Sequence, residues 1–186
     1  MRTFLALDVE DKRTIKLIEE VQNKLKQTDA DIKLVAPNNL HFTVKFFGEI
    51  DVTLATKIIK LLSDIKLEPL HIVYKGMGVF PSPRRISVIW VGVEKNYSVH
   101  LRNIVNAVEE RLKDIIQSNR RGFQPHLTIS RVKSGKNKDK LLALINEYEN
   151  QDFGEETIMT LKLKKSILTP KGPIYSDIHT FYFGVE

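Results

Sequence analysis

The chain has 186 residues, of which 42% are apolar and 28% charged, so it is long and apolar enough to fold as one domain around a sizeable core. It contains no cysteine, which excludes disulfides, thiolate metal sites and a cysteine nucleophile. Its 29 basic and 23 acidic residues leave a net charge of +6. A basic surface favours partners that carry phosphate, without requiring them.

No apolar run approaches the roughly 20 residues that span a membrane. The first residues, MRTFLALDVEDK, do not resemble a signal peptide, because their apolar run is short and acidic residues follow it at once. We therefore expect a cytoplasmic protein that works as a monomer and has no membrane partner.

The predicted elements follow one another in the same order twice. An apolar strand, TFLALDV, opens the chain. Apolar residues at helical spacing then predict four helices, over 12–27, 51–65, 97–115 and 136–148. One strand that begins with His-x-Thr lies between the first two helices, and another lies between the last two. Two further strand-like runs follow each pair of helices: LHIVYKGMGVF and RISVIWVGV in the first half, TIMTLKLKKSIL and IYSDIHTFYFG in the second.

This repeated order predicts an α+β fold of two pseudo-symmetric lobes, each a small, mostly antiparallel sheet backed by two helices, with a cleft between the lobes. Residues 12–93 and 97–184 are the approximate duplicated units, and their boundary is expected near Gly92 and Val93. No Gly/Ser linker separates the halves, so we expect residues 1–186 to form a single bilobal domain.

Both halves share the phrase His, apolar, Thr, apolar, which reads HFTV from His41 and HLTI from His126. Alternate residues of a strand point to opposite faces, so the His and Thr lie on one face together with the residue two positions further on. These predicted faces consist of His41, Thr43 and Lys45 in the first strand and of His126, Thr128 and Ser130 in the second. The residues between them are predicted to face the helices: Phe42, Val44, Phe46, Leu127 and Ile129.

Two imidazoles and two hydroxyls around one cavity suit a phosphodiester. A neutral imidazole takes a proton from the nucleophile, and an imidazolium gives one to the leaving oxygen. Threonine hydroxyls donate to the phosphate oxygens on which charge builds up. A zinc site needs three or four ligands, and no HExxH or His-rich tract supplies the rest. A Ser-His-Asp triad is disfavoured because G-x-S-x-G is absent, so we expect neither a metal nor a cofactor.

The chain as a whole resembles the 2H phosphoesterases, in the branch of the RNA 2′,3′-cyclic phosphodiesterases, also called 2′-5′ RNA ligases. The stretches that carry the resemblance cover nearly the whole chain: RTFLALDVED, NLHFTVKFFGEI, FPSPRRISVIWVGV, FQPHLTISRV and SILTPKGPIYSDI. The resemblance implies a bilobal α+β fold and metal-free hydrolysis of a terminal 2′,3′-cyclic phosphate to a 2′-phosphomonoester. Some members also run the reverse reaction, which joins a 5′-hydroxyl to the cyclic phosphate as a 2′-5′ linkage.

By this resemblance, His41 and His126 are the catalytic pair, and Thr43 and Thr128 hold the phosphate. His126 is assigned as the general base toward water, and His41 as the general acid toward the departing 3′-oxygen. Reversing the reaction exchanges the two roles. The pair is expected to titrate as a coupled system and to give a bell-shaped pH profile.

Arg131 corresponds to the basic residue that often follows the second phrase in this branch, and is assigned to substrate binding. Strict alternation points it away from the cleft, so the strand must end or bulge near Ser130, or the side chain must curl back. Lys45 is a secondary candidate, because alternation places it on the face of the histidine. Arg84 and Arg85 follow a proline-rich turn and are candidates for the RNA backbone. Four aromatic residues are candidates for stacking on a base, namely Phe47, Tyr74, Phe80 and Phe123.

Two other functions remain open from the sequence. An RNA-binding module without turnover would use the same basic charge, although the RRM aromatic signature is absent. A cyclic phosphodiesterase of small nucleotides would use the same histidines and need no RNA-binding surface.

Overall fold

The computed structural model describes residues 1–117, 122–170 and 172–184. In these ranges the strands are β1 (Arg2–Asp8), β2 (Ile32–Leu34), β3 (His41–Glu49), β4 (Leu70–Ser82), β5 (Arg85–Val93), β6 (Leu127–Val132), β7 (Asp152–Ile158), β8 (Thr160–Thr169) and β9 (Gly172–Tyr182). The helices are α1 (Lys12–Gln27), α2 (Val52–Leu62), α3 (Lys95–Leu112) and α4 (Lys138–Glu147). A short 3₁₀ helix covers Pro37–Asn39.

An aspartate begins each of the first two helices. Asp11 accepts a hydrogen bond from the backbone N–H of Thr14 at 2.6 Å, and Asp51 accepts one from that of Leu54 at 2.7 Å. The first N–H groups of a helix have no partner within the helix, so a carboxylate at this position fixes where the helix starts. The four helices predicted from apolar spacing are all present, with ends that differ by a few residues.

The strands form two antiparallel sheets. One has four strands in the order β3-β1-β8-β9, and the other has five in the order β2-β6-β5-β4-β7. Each sheet takes strands from both halves of the chain. The four-stranded sheet combines β1 and β3 with β8 and β9, and the five-stranded sheet combines β2, β4 and β5 with β6 and β7. The predicted α+β class with antiparallel sheets is confirmed. The division into units 12–93 and 97–184 stays a prediction, and the expected boundary at Gly92 and Val93 lies at the end of β5.

The helices pack on the strands and on one another. α1 packs on β6, β7 and α4, and α4 also contacts β4. α2 and α3 pack on each other, and α3 lies against β3 and β4. The apolar stripe of α1, formed by Ile18, Val21 and Leu25, is buried in the core together with the centre of β1. None of the helices in the described ranges is long and apolar enough to cross a membrane.

Two strands are absent from the sequence prediction. β2 has only three half-buried residues, too few for a recognisable alternation. β7 and β8 lie within the second half, where a single strand was predicted over TIMTLKLKKSIL. The extended segment is interrupted at Met159, because β7 pairs with β4 in the five-stranded sheet whereas β8 pairs with β1 in the four-stranded sheet.

Candidate active site

The two histidines lie at the start of neighbouring strands from different sheets. His41 is the first residue of β3, and His126 directly precedes β6. β3 and β6 approach each other to within 8 Å between Cα atoms. The two His-x-Thr phrases, which are far apart in the sequence, thus belong to strands that lie close together, and the space beside the two histidines is called the groove below.

The chain orients both imidazoles in the same way. Nδ1 of His41 lies 2.7 Å from the carbonyl oxygen of Asn39, and Nδ1 of His126 lies 2.7 Å from that of Gln124. A carbonyl oxygen can only accept, so Nδ1 carries the proton and donates in both rings. In the neutral ring, Nε2 is then the basic nitrogen. The two phrases thus present matching Nε2 atoms, each able to take up or release a proton.

The two threonines differ in their contacts. Oγ1 of Thr43 lies 3.2 Å from Nε2 of His41, so the hydroxyl donates to the neutral ring. Oγ1 of Thr128 makes no hydrogen bond to another residue in the described ranges, and Thr128 lies opposite Trp90 of β5. Both side chains are half-buried on the face of their histidine.

Each imidazole also has a perpendicular aromatic neighbour. The ring of Tyr175 lies 5.4 Å from that of His41 at an interplanar angle of 88°. The ring of Phe80 lies 4.9 Å from that of His126 at 85°. Phe4 makes a further contact with His41, at 5.1 Å between ring centroids. These contacts limit the rotation of both imidazoles without occupying Nε2.

Burial lowers the pKa of His41 below that of a free imidazole. The bond to the Asn39 carbonyl and the negative charge of Asp8 oppose this change, while the positive charges of Lys164 and Arg131 add to it. The neutral form of His41 is therefore favoured while no anion is bound.

A β-bulge after Thr43 reverses the faces predicted for Lys45 and Phe46, and a second irregularity follows between Phe46 and Gly48. Thr43 and Lys45 pair with consecutive residues of β1, so Val44 is the extra residue. Lys45 consequently points away from the groove. It is 2% exposed, and its Nζ lies 2.9 Å from a carboxylate oxygen of Glu109 on α3. The predicted placement of Lys45 beside the histidine is wrong, and Phe46, predicted to face the helices, turns toward the groove instead.

β6 contains the corresponding bulge. Thr128 and Ser130 pair with consecutive residues of β5, so Ile129 is the extra residue. Ser130 is 0% exposed, and its hydroxyl donates to the carbonyl of Lys33 at 3.3 Å. The predicted placement of Ser130 in the cleft is therefore wrong. The bulge instead places Arg131 on the face of His126, which is one of the alternatives expected from the sequence.

Arg131 is an exposed side chain at the edge of the groove. Its positive charge acts on the pKa values of both His41 and Tyr175, which belong to the opposite sheet. The guanidinium thus lies close enough to face the His41 side of the groove. Arg84 is exposed at the turn between β4 and β5, and Arg85 is exposed at the start of β5.

The four aromatic candidates have different surroundings. Phe80 lies beside His126, as described above. Tyr74 is 0% exposed and donates a hydrogen bond to Glu156, which excludes it from stacking on a ligand. Phe47 and Phe123 are partly buried against the core.

The sequence prediction missed the aromatic group on the His41 side. Phe46 is 47% exposed, stacks on Phe4 at 5.7 Å, and has the Arg2 guanidinium 5.5 Å from its centroid. Tyr175 approaches both Phe4 and His41. Strict alternation places Phe46 on the opposite face, and the long-range pairing of β8 with β1, which brings β9 and Tyr175 to this side, leaves no local pattern in the sequence.

Carboxylates near His41 are paired with lysines. Asp8 lies 3.0 Å from Nζ of Lys162 and 2.7 Å from that of Lys164, and Asp177 lies 2.8 Å from Lys164. In residues 1–117, 122–170 and 172–184, no three His, Asp or Glu side chains are grouped so that they could share a metal ion.

The chain is similar to known proteins over nearly its whole length. The chain matches the LigT-like phosphoesterase family twice, over residues 9–90 and 91–175. It is 42% identical over 180 residues to the RNA 2′,3′-cyclic phosphodiesterase of Methanocaldococcus jannaschii, covering 96% of this chain and 98% of that one. It is 38% identical over 183 residues to the protein of that name from Methanothermobacter thermautotrophicus, covering 97% and 98%.

The fold is similar to the crystal structure of E. coli LigT complexed with 3′-AMP, with a TM-score of 0.77 at 17% identity over 99% of this chain and 98% of that one. The resemblance carried by the quoted stretches of sequence is thus confirmed. The chain belongs to the LigT-like phosphoesterase family of the 2H superfamily.

Proposed function

We propose that this protein hydrolyses the 2′,3′-cyclic phosphate at the end of an RNA to a 2′-phosphomonoester. The observation that supports the proposal is the matched pair of imidazoles, each held through Nδ1 by a backbone carbonyl and each at the start of one of two neighbouring strands. The names of the curated relatives support the same substrate class.

In the proposed reaction, Nε2 of His126 takes a proton from water as the water oxygen bonds to phosphorus. The bond between phosphorus and the 3′-oxygen breaks, and Nε2–H of His41 gives a proton to that oxygen. The products are a 3′-hydroxyl and a 2′-phosphate. One imidazole gains a proton and the other loses one, so proton exchange with solvent restores the starting state.

The acid role requires His41 to be protonated, although burial lowers its pKa in the free protein. A bound phosphate supplies a negative charge next to Nε2, which raises the pKa of an adjacent imidazole. In this scheme, binding of the substrate therefore favours protonation of His41. The base role of His126 uses the neutral ring, whose free electron pair is on Nε2.

Thr43, Thr128 and Arg131 hold the phosphate in this proposal. The two hydroxyls donate to its non-bridging oxygens, and the guanidinium balances the charge that grows on them in the transition state. Binding of phosphate takes the Thr43 hydroxyl from Nε2 of His41, which leaves that nitrogen free to carry a proton.

RNA is the proposed substrate because single-stranded RNA is held by cationic side chains and by aromatic rings that stack on bases. Arg2 and Arg131 lie at the groove, and the exposed ring of Phe46 stands on the same side as His41. A 5′-hydroxyl that replaces water as the nucleophile would join two RNA ends by a 2′-5′ linkage with release of the same 3′-oxygen, so the same residues would serve this ligation.

The scheme routes no step through a metal ion, and it is tested in the presence of a chelator. An oligoribonucleotide ending in a 2′,3′-cyclic phosphate is incubated with the protein in EDTA, and the end group is identified by ³¹P NMR. The expected product is the 2′-phosphate. Binding without product would identify an RNA-binding module instead, and loss of activity in EDTA would contradict the metal-free mechanism.

The same assay with a cyclic-phosphate mononucleotide separates the two candidate substrates. We expect a higher kcat/KM for the oligonucleotide and a decrease of that preference as salt is raised. Equal kcat/KM values for both substrates would favour a phosphodiesterase of small nucleotides.

A further inference from the structure

A side chain of helix α1 donates a hydrogen bond to the bulge in β6. Gln22 of α1 is 4% exposed, and its Nε2 lies 2.9 Å from the carbonyl oxygen of Ile129, the extra residue of the bulge. The same nitrogen lies 2.8 Å from the carbonyl oxygen of Val35, just beyond β2. An amide carries two N–H groups, so it can serve both carbonyls at once.

The two carbonyls lie where the end of β2 meets the bulge in β6. The backbone N–H of Val35 also donates to the carbonyl of Ile129, at 3.0 Å, where the short strand β2 ends. A bulge leaves backbone groups without regular partners, and buried groups of this kind need a donor from elsewhere. The Gln22 amide is therefore the connection between α1, the end of β2 and the bulge.

The bulge decides which side chain of β6 reaches the groove. With Ile129 as the extra residue, Ser130 is buried and Arg131 lies on the face of His126 and Thr128. In an uninterrupted strand Ser130 would take that face, and Arg131 would point at α1 and the core.

We propose that Gln22 is a positioning residue of the active site, which acts through the β6 bulge to hold Arg131 in the groove. Gln22 lies on the helix side of the sheet, so it touches no substrate. The inference rests on the proposed function in one respect, namely that Arg131 contributes to turnover of the cyclic phosphate.

The test is a double-mutant cycle on kcat/KM with the cyclic-phosphate oligonucleotide. Gln22→Met keeps the length and volume of the side chain but removes both N–H donors. We expect it to lower kcat/KM by about 10- to 100-fold, the range associated with small displacements of a catalytic group. We expect Gln22→Met combined with Arg131→Ala to be no worse than Arg131→Ala alone, because both changes remove the same contribution.

Thr14→Val is the matched control. Thr14 lies on the same helix and is also fully buried, and its hydroxyl has no partner in the described ranges. It should leave kcat/KM within about twofold of the starting protein. Additive effects of Gln22→Met and Arg131→Ala, or an equal loss in Thr14→Val, would overturn the proposal and indicate a general effect of the helix on stability. If Gln22→Met does not fold, Gln22→Asn carries the same cycle, because it keeps the donors but is too short to reach both carbonyls.

A crystal structure of Gln22→Met separates this inference from the proposed function. If the unmodified protein does not open cyclic phosphates, the proposed function fails. The structure still tests Gln22, since we expect the pairing of β6 with β5 beyond Thr128 to change and Arg131 to leave the groove. An unchanged bulge in that variant would overturn the inference whatever the activity.

Discussion

Replacing Lys45 by Met tests whether this lysine serves the fold or the substrate. Nζ of Lys45 lies 2.9 Å from Glu109 and donates to the carbonyl of Gln117 at 3.0 Å, and the side chain is 2% exposed. Met keeps most of the apolar length and removes the charge. The change therefore isolates the polar contacts of the lysine with α3 and with the residues that follow it.

The expected cost follows from the burial of the two partners. Removing one member of a fully buried ion pair costs about 3–5 kcal/mol. The Glu109 side chain is 23% exposed, so water stabilises part of its charge after the change. We expect a loss of about 2–3 kcal/mol in the free energy of unfolding, which for a chain of this size is a decrease of roughly 5–10 °C in Tm.

Urea unfolding measures the contribution of Lys45 to stability, and steady-state kinetics measure its contribution to turnover of the substrate. We expect Lys45→Met to lower the unfolding midpoint and to leave kcat/KM within about threefold at 25 °C, where the protein remains folded. Lys16→Met is the control, because Lys16 is an exposed lysine of α1, and it should change stability by less than about 0.5 kcal/mol. Unchanged stability with a large loss of kcat/KM would show that Lys45 meets the substrate and would refute the placement described here.

Three further predictions concern single side chains. His41 should titrate below about pH 6.5 by NMR in the free protein, because burial lowers its pKa, and its pKa should rise when a 2′-phosphate product is added; no rise would remove the acid role of His41. Phe46→Ala should raise KM for the oligonucleotide about tenfold and leave the mononucleotide unaffected, whereas Phe46→Tyr should keep the low KM; equal effects on both substrates would contradict base stacking. Tyr74→Phe removes a buried hydrogen bond to Glu156 and should cost about 1–2 kcal/mol in urea unfolding without changing kcat/KM, and a change in kcat/KM would show that this buried contact reaches the groove.

Local patterns in the sequence predicted the helices well. α1 begins after Asp11 and carries its apolar residues on one face, so both its start and its buried side follow from neighbouring residues. The division of strands between two sheets depends on long-range pairing. No local pattern predicts that β7 and β8, which are separated only by Met159, pair with strands of different sheets.

The candidate site was predicted only as far as the alternation of the strands holds. His41, Thr43, His126 and Thr128 precede the bulges, so regular alternation still applies to them. Beyond the bulges, alternation fails for Lys45, Phe46 and Ser130. One extra residue in a strand has no mark in the sequence, because the groups that hold the β6 bulge, such as the amide of Gln22, come from distant elements.

The central claim is that the imidazoles of His41 and His126 act on opposite sides of one phosphorus atom. Its most direct test is kcat for His41→Ala and for His126→Ala on the cyclic-phosphate oligonucleotide, with the unfolding midpoint of each variant measured alongside. Because each imidazole moves a proton in the transition state, we expect each variant to stay folded and to lose about 100- to 10,000-fold in kcat. A folded variant of either histidine that keeps the kcat of the starting protein would contradict the two-histidine mechanism.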